Sequence, residues 1–363
     1  MFVAVGCATA GGAASPAAAA VAAPQTVAYA SPATYANFPS RFAPIVAEDF
    51  AGRPGRTPIA PHGSAPVVSP RGNAVAYLVA GARNTLPTLW LANARGNTIV
   101  RTAIGRTDRI EGFSPDGTWL AYIDRGRTER ANFRLRVADL ATGRSRTVVA
   151  DRDVFLGTSF SPDGRQIAYV TERSAGWDED SRGALRVVPV GGGPSRRLTA
   201  ERTAKAPLWG PVGIAYLHPR PGGPDKDLLR STLDLIQGDG TGHRSIVAFP
   251  GTSAMSDGLY PVAWSADGTR LVANATAFDA RTTRETEEGW AIDVVAGTAR
   301  DLTGKTDGVV ASGLSQDGLT VLAETGNVVV SYKRRRHDVV TLPFTGGPPT
   351  LLARNAGSAS WAR

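Results

Sequence analysis

GFSPDGTWLAYI, residues 112–123, and SFSPDGRQIAYV, residues 159–170, are two copies of one pattern whose turn serines stand 47 residues apart. Each is an apolar stretch, a four-residue turn and then an alternating stretch. Proline presets φ at the second turn position and aspartate suits the third. Glycine takes the positive φ that sends the chain back as an antiparallel partner. Each copy is therefore a β-hairpin. Further copies begin at Val67 (VVSPRGNAVAYL), Ala263 (AWSADGTRLVAN) and Gly313 (GLSQDGLTVLAE), with a shortened one at Leu208 (LWGPVGIAYL).

A second hairpin follows each of these after a loop: LWLANARGNTIVRTA from Leu89, LRVADLATGRSRTVVA from Leu135, LRVVPVGGGPSRRLTA from Leu185, LDLIQGDGTGHRSIVAF from Leu233, AIDVVAGTARDLT from Ala291 and DVVTLPFTGGPPTLLA from Asp338. Four short strands every 45–57 residues, without helical periodicity, imply the blades of an all-β propeller. The blades start near residues 65, 110, 156, 205, 260 and 310. Phase extends the pattern to both ends of the chain. TVAYA from Thr26 echoes AVAYL from Ala74, IVAEDFAGRPGRTPIA from Ile45 echoes RVADLATGRSRTVVA from Arg136, and Trp361 falls 47 residues after Leu314. The expectation is seven four-stranded blades in a single propeller over 26–363. The closing blade takes strands two to four from 26–60 and its first from 357–363, which leaves no open sheet edge. Six blades, with the terminal pieces packed on as extra strands, is the alternative.

The SPDG-type hairpins at Ser114 and Ser161, with their variants at Ser69, Ser265 and Ser315, resemble TolB-type (WD40-like) propeller repeats over essentially all of residues 26–363. The resemblance implies an exported bacterial propeller that binds a protein partner. A separate N-terminal α/β domain, which TolB proper carries, has no space here, so the specific TolB role is not implied. The fold itself leaves function open, since propellers host binding, scaffolding and catalysis.

Composition narrows the classes. Of 363 residues 42% are hydrophobic, 41 are Gly and 25 are Pro, and Cys7 is the single cysteine. Those numbers exclude a disordered chain and a disulfide framework. The net charge of +8 comes from dispersed arginines, for only four of 40 basic residues are lysine. The one dense basic run, 333–337, has no aromatic stacking platform, so no nucleic acid partner is expected. No stretch is apolar enough to span a bilayer. Residues 1–25 are uncharged and rich in alanine, and they read as an export segment. Ala4-Val5-Gly6-Cys7 resembles a bacterial lipobox and makes Cys7 the candidate lipid anchor. The expected place is periplasmic, extracellular or on the cell surface.

Catalytic patterns fail one by one. No G-x-S-x-G elbow occurs. Ser114–Trp119 is one residue short of a sialidase Asp-box, and Arg182 and Pro189 spoil the calcium-loop pattern that starts at Asp178. Strand phase puts His62 near the channel mouth, and His218 and His337 in loops between second and third strands. It puts His243 in a hairpin turn on the opposite face. No catalytic set, metal site or cofactor is expected from that arrangement. One constellation stands out. Asp153, Asp257 and Asp307 each lie eight residues before their turn serine, with Glu111 nearby. They either ring one channel mouth, as a site for a cation, an amine or a basic peptide, or each caps its own turn. Long charged loops from Asp124, Thr171, Leu217 and Thr276 share that face, with Tyr260 and Trp177 as aromatic anchors. The expectation is a monomeric, non-catalytic scaffold binding a protein or envelope component. The alternative is a hydrolase or lyase working on a small molecule or sugar in the channel.

Overall fold

A computed structural model describes residues 26–31, 43–81, 85–96, 98–107, 109–125, 133–151, 153–172, 183–200, 203–220, 230–249, 258–279, 284–302, 308–325, 338–354 and 356–362. Its regular structure is β throughout, apart from a short 3-10 turn at Phe50–Gly52. Among the described residues no helix is long and apolar enough to cross a membrane.

The turns work as their residues dictate. Gly117 and Gly164 sit at φ 70° and 69°, where a side chain would be strained. The serine hydroxyl of each turn bridges two functions. Ser161 donates to Asp163 at 2.6 Å and accepts the Gln166 N–H at 2.9 Å, and Ser265 does the same with Asp267 and Arg270 at 2.6 and 3.0 Å. Where Asp is absent, Ser69 uses the Asn73 side chain instead, at 3.0 Å.

These donors fix the charge of the turn aspartates. Asp163 is lowered first by the Ser161 hydroxyl and then by the Arg165 N–H, and Asp267 is lowered to about 2 by Ser265 and Thr269. A lowered folded pKa gives stability that is present above the unfolded value, near 3.8, and lost as pH falls through the folded one. Acid unfolding is thus expected to steepen between about pH 4 and pH 2. Urea titrations of the double variant Asp163→Asn, Asp267→Asn should show a shallower pH slope there. An unchanged slope would refute this role for the turns.

Strands assemble in antiparallel groups of four. Arg109–Phe113, Trp119–Arg125, Phe133–Asp139 and Ser145–Asp151 form one such group in sequence order. Val154–Phe160 to Arg196–Arg197, Lys205–Gly210 to Arg244–Ala248, Tyr260–Trp264 to Thr298–Asp301 and Val309–Leu314 to Thr350–Ala353 repeat it. The 13-residue strand Arg56–Val68 serves two groups. Its first part, to Gly63, pairs with Ala43–Glu48 and its last part, from Ser64, with Ala74–Val79, and Ala65 at φ 47° sits at the bulge just after the changeover. The chain ends meet in one sheet: Gly357–Trp361 pairs antiparallel with Val27–Ala30, Val27 opposite Trp361.

The core lies between groups rather than within them. Each of its apolar clusters is shared by two consecutive groups, and the series runs round until Val27, Tyr29 and Val46 pack with Leu322 and Val339. The tyrosine of the AY pair recurs as Tyr29, Tyr77, Tyr122, Tyr169 and Tyr216, each buried. Period-two alternation aims every one of them at the neighbouring group. The fold is an all-β propeller.

Two of the long loops are shorter than their polarity suggested. The segment from Thr276 is mostly a hairpin, its backbone pairing running from Arg270 opposite Asp293 out to Asp279 opposite Arg284. The segment from Leu217 likewise stays in strand to Arg220. Ladder hydrogen bonds and β-branched residues carry the pairing beyond the apolar face there.

Candidate functional site

A cavity of about 210 Å³ occupies the middle of the ring. The first strand of every group and the C-terminal strand Gly357–Trp361 contribute to its wall: Val67 and Val68, Glu111 and Phe113, Thr158 and Phe160, Leu208, Val262, Ser312 and Leu314, and Ser360 and Trp361. Those twelve residues sit on seven different strands. Hydrogen bonds tie neighbouring walls together. The Val68 N–H donates to the Ser360 hydroxyl at 3.1 Å, and the Trp209 N–H donates to the Ser159 hydroxyl at 2.9 Å.

Glu111 is the carboxylate of this wall. Its side chain is 6% exposed, and both oxygens are engaged. The Arg109 guanidinium donates to Oε1 and the Thr158 hydroxyl donates to Oε2 at 2.9 Å. Glu111 and Thr158 each stand three residues before a turn serine, so the repeat itself places them side by side. Asp153 lies just before Val154–Phe160, half-buried, with its N–H on the Asp151 carboxylate at 3.2 Å. Tyr260 opens its strand, half-buried and paired with Asn274. Glu111 therefore reaches the cavity, whereas Asp153 and Tyr260 lie outside its wall. Asp257, Asp307, Trp177 and Cys7 fall outside the described residues.

A second cluster was not legible from phase. His218 and His243, expected on opposite faces, meet at one carboxylate. His218 Nδ1 lies 2.6 Å and His243 Nε2 2.9 Å from Asp234 Oδ2. The correction has a simple cause. The second strand runs on to Arg220, so His218 stands in strand, two residues beyond Tyr216, which pairs with Asp234. His243 stands two residues before Ser245, which also pairs with Asp234. Steps of two put all three side chains on one face of the sheet. Asp234 is fully buried. Burial pushes its carboxyl up, but hydrogen bonds from His218, Thr232 and His243 outweigh that and hold it at about 2. A register count across these three strands, rather than phase along the chain, was the signal that would have found the cluster.

No protein-family model and no curated protein matches the chain. Solved structures do. TolB from Acinetobacter baumannii matches at a TM-score of 0.51 and 16% identity, over 80% of this chain and 67% of that one. An oligogalacturonate lyase in complex with manganese gives 0.55 and 16%, over 88% and 84%. The β-propeller domain of the Trilobed protease from Pyrococcus furiosus gives 0.56 and 16%, over 80% and 82%. At such identities the likeness establishes the fold, a TolB-like propeller, and leaves the chemistry to the residues.

Proposed function

We propose that this TolB-like propeller is an exported, non-catalytic scaffold that holds a protein or cell-envelope component over the mouth of its central cavity. The ring is read as seven blades, a count supported by the seven strands in the cavity wall and by core clusters shared between consecutive groups all the way round. Residues 1–25 are read as carrying the export signal, with Cys7 as the candidate lipid anchor.

One observation carries the functional reading. The Glu111 carboxylate is fixed in the cavity wall with an arginine on one oxygen and a hydroxyl on the other. With both oxygens already accepting hydrogen bonds from the protein's own side chains, Glu111 is a fixed, oriented acceptor rather than a group placed to move a proton, and the lysine or arginine of a partner can share it with Arg109. Repeat phase assigns Asp153, Asp257 and Asp307 to this binding face as its acidic contacts, with Tyr260 and Trp177 as the aromatic ones. Two of the solved relatives are named for enzymes and one for TolB, so the wall residues, not the fold, favour binding over turnover.

The test uses the full chain, immobilised and exposed to envelope extract, with captured proteins identified by mass spectrometry. Glu111→Gln combined with Asp153→Lys, and separately Asp257→Lys combined with Asp307→Lys, should each cut capture of the main species about tenfold or more, a loss of at least ~1.4 kcal/mol in binding. Circular dichroism should show both variants folded at the assay temperature. Capture equal to wild type in both would overturn the reading.

A further inference from the structure

We propose that His218, Asp234 and His243 form a binding site for a divalent transition-metal ion, of the zinc, nickel or copper type, on the side of the propeller rather than in its channel. His218 Nδ1, His243 Nε2 and a carboxylate oxygen of Asp234 all lie within 4.8 Å of one another. Two imidazoles and a carboxylate are a donor set for such ions. The site opens onto a groove of about 270 Å³ whose wall includes Leu198, Thr203, Tyr216 and Gly240, so residues of the preceding group face it. Ion and water can reach it from there.

The repeat supplies an internal control. In the group starting at Arg109 the same three backbone positions are Asp124, Arg136 and Ser145, as the strand register shows: Tyr122 pairs with Arg136 as Tyr216 pairs with Asp234, and Thr147 with Arg136 as Ser245 with Asp234. There the central residue is a cation and the neighbours are ordinary partners, with Arg136 3.5 Å from Asp124 and 3.1 Å from the Ser145 hydroxyl. The backbone therefore does not require a His-Asp-His triplet. An ion pair closes the same space.

The hydrogen bonding points the same way. A buried carboxylate kept for structure would spread its donors over both oxygens. Asp234 instead takes both imidazoles on Oδ2, while its buried Oδ1 has no hydrogen-bond partner. Such crowding on one oxygen is poor for a hydrogen-bond network and natural for a set of ligands around a point. Around zinc, with bonds of about 2.1 Å, tetrahedral donors sit about 3.4 Å apart. The two imidazole nitrogens, now 2.6 and 2.9 Å from Oδ2, need to open by about 0.8 and 0.5 Å to reach that spacing, and His243 is half exposed and free to do so. Each ring would give up the proton it now shares with Asp234 or move it to its other nitrogen. Three protein ligands leave a position facing the groove for water.

Zn²⁺ is the probe, added to full-length protein that carries no polyhistidine tag. Equilibrium dialysis and calorimetry should find one Zn²⁺ retained per chain, with a raised melting temperature, since an ion that binds only the folded state stabilises it. Co²⁺ should give visible absorption of low-symmetry coordination, displaced by Zn²⁺. In His218→Gln, His243→Gln the affinity should fall about 100-fold or more and the Co²⁺ spectrum should vanish. Circular dichroism verifies that this variant folds, and the single, surface-lying His243→Gln gives the same reading if it does not. His62→Gln, His337→Gln should bind as wild type. No retained Zn²⁺, or equal binding by wild type and the His218, His243 variant, would overturn the proposal, as would loss of the signal in the His62, His337 variant.

Discussion

Deleting residues 357–363 is expected to destabilise the whole ring by more than ~3–5 kcal/mol, the scale for losing one large aromatic side chain such as Trp361. The remainder of the loss comes from what the last strand holds together. Its backbone pairs with Val27–Ala30, its Ser360 hydroxyl accepts the Val68 N–H, and the Ala362 N–H donates to the Thr26 carbonyl at 2.9 Å. Buried Glu324 reaches across from the neighbouring group and accepts the Ala359 N–H at 2.9 Å. Burial pushes the Glu324 carboxyl up, only partly offset by the Ala359 and Ser358 N–H groups and the Ser312 hydroxyl. Removing the strand leaves that carboxylate without its backbone donors and opens an edge on Val27–Ala30. Urea unfolding and calorimetry of the truncated chain measure the effect. A truncated protein that melts like the full one would show that the terminal pieces are decoration on a self-sufficient ring.

Tyr169→Ala is expected to cost about 3–5 kcal/mol, and Tyr169→Phe about 1 kcal/mol. The ring of Tyr169 is 2% exposed and packs at 5.9 Å from Phe155, within the cluster that joins two consecutive groups. Cutting it to alanine empties that joint. The phenylalanine variant keeps the ring and removes only the hydroxyl, whose ionisation burial already disfavours. The contrast between the two variants separates packing from hydrogen bonding, and chemical denaturation reads both. A loss below about 1.5 kcal/mol in Tyr169→Ala would mean that neighbouring groups collapse into the gap. Two groups already do without this tyrosine. Ala273 and Ala323 occupy the equivalent places, and Trp290 directly opposite Ala273 supplies the missing bulk.

How far the sequence could be read follows from where information is local. The SPDG turns announce themselves because proline, aspartate and glycine each answer one backbone demand within four residues, and Ser161 and Ser265 then make the hydrogen bonds such turns need. Repeat phase carried the pattern to Thr26 and Trp361, and the two ends do pair. Glu111 reads in sequence with Asp153, Asp257 and Asp307, and that reading passes over its partner Thr158, which stands at the equivalent place three residues before its own turn serine. What phase could not carry was strand length. Residues 276–279 and 217–220 look like loop by polarity, and continue as strand because a partner is there to bond them. The same miscounting separated His218 from His243. Three side chains that converge through two register relations across three successive strands leave no trace in spacing along the chain.

The strand Arg56–Val68 stands at the seam of the molecule: it is the last of one sheet and the first of the next. Its first sheet includes Gly357–Trp361, and Val68 is bonded to Ser360 across 292 residues. A chain made from its N-terminus at about 5–20 residues per second therefore carries Val27–Ala30 with one side bare for roughly 20–70 s before its partner exists. Every other group can form from neighbours already made, so the ring assembles as an open arc that stays open at this edge. Its completion is a late event set by synthesis or transport rather than by local folding speed. The arc's exposed edge is the interval in which a chaperone has something to hold.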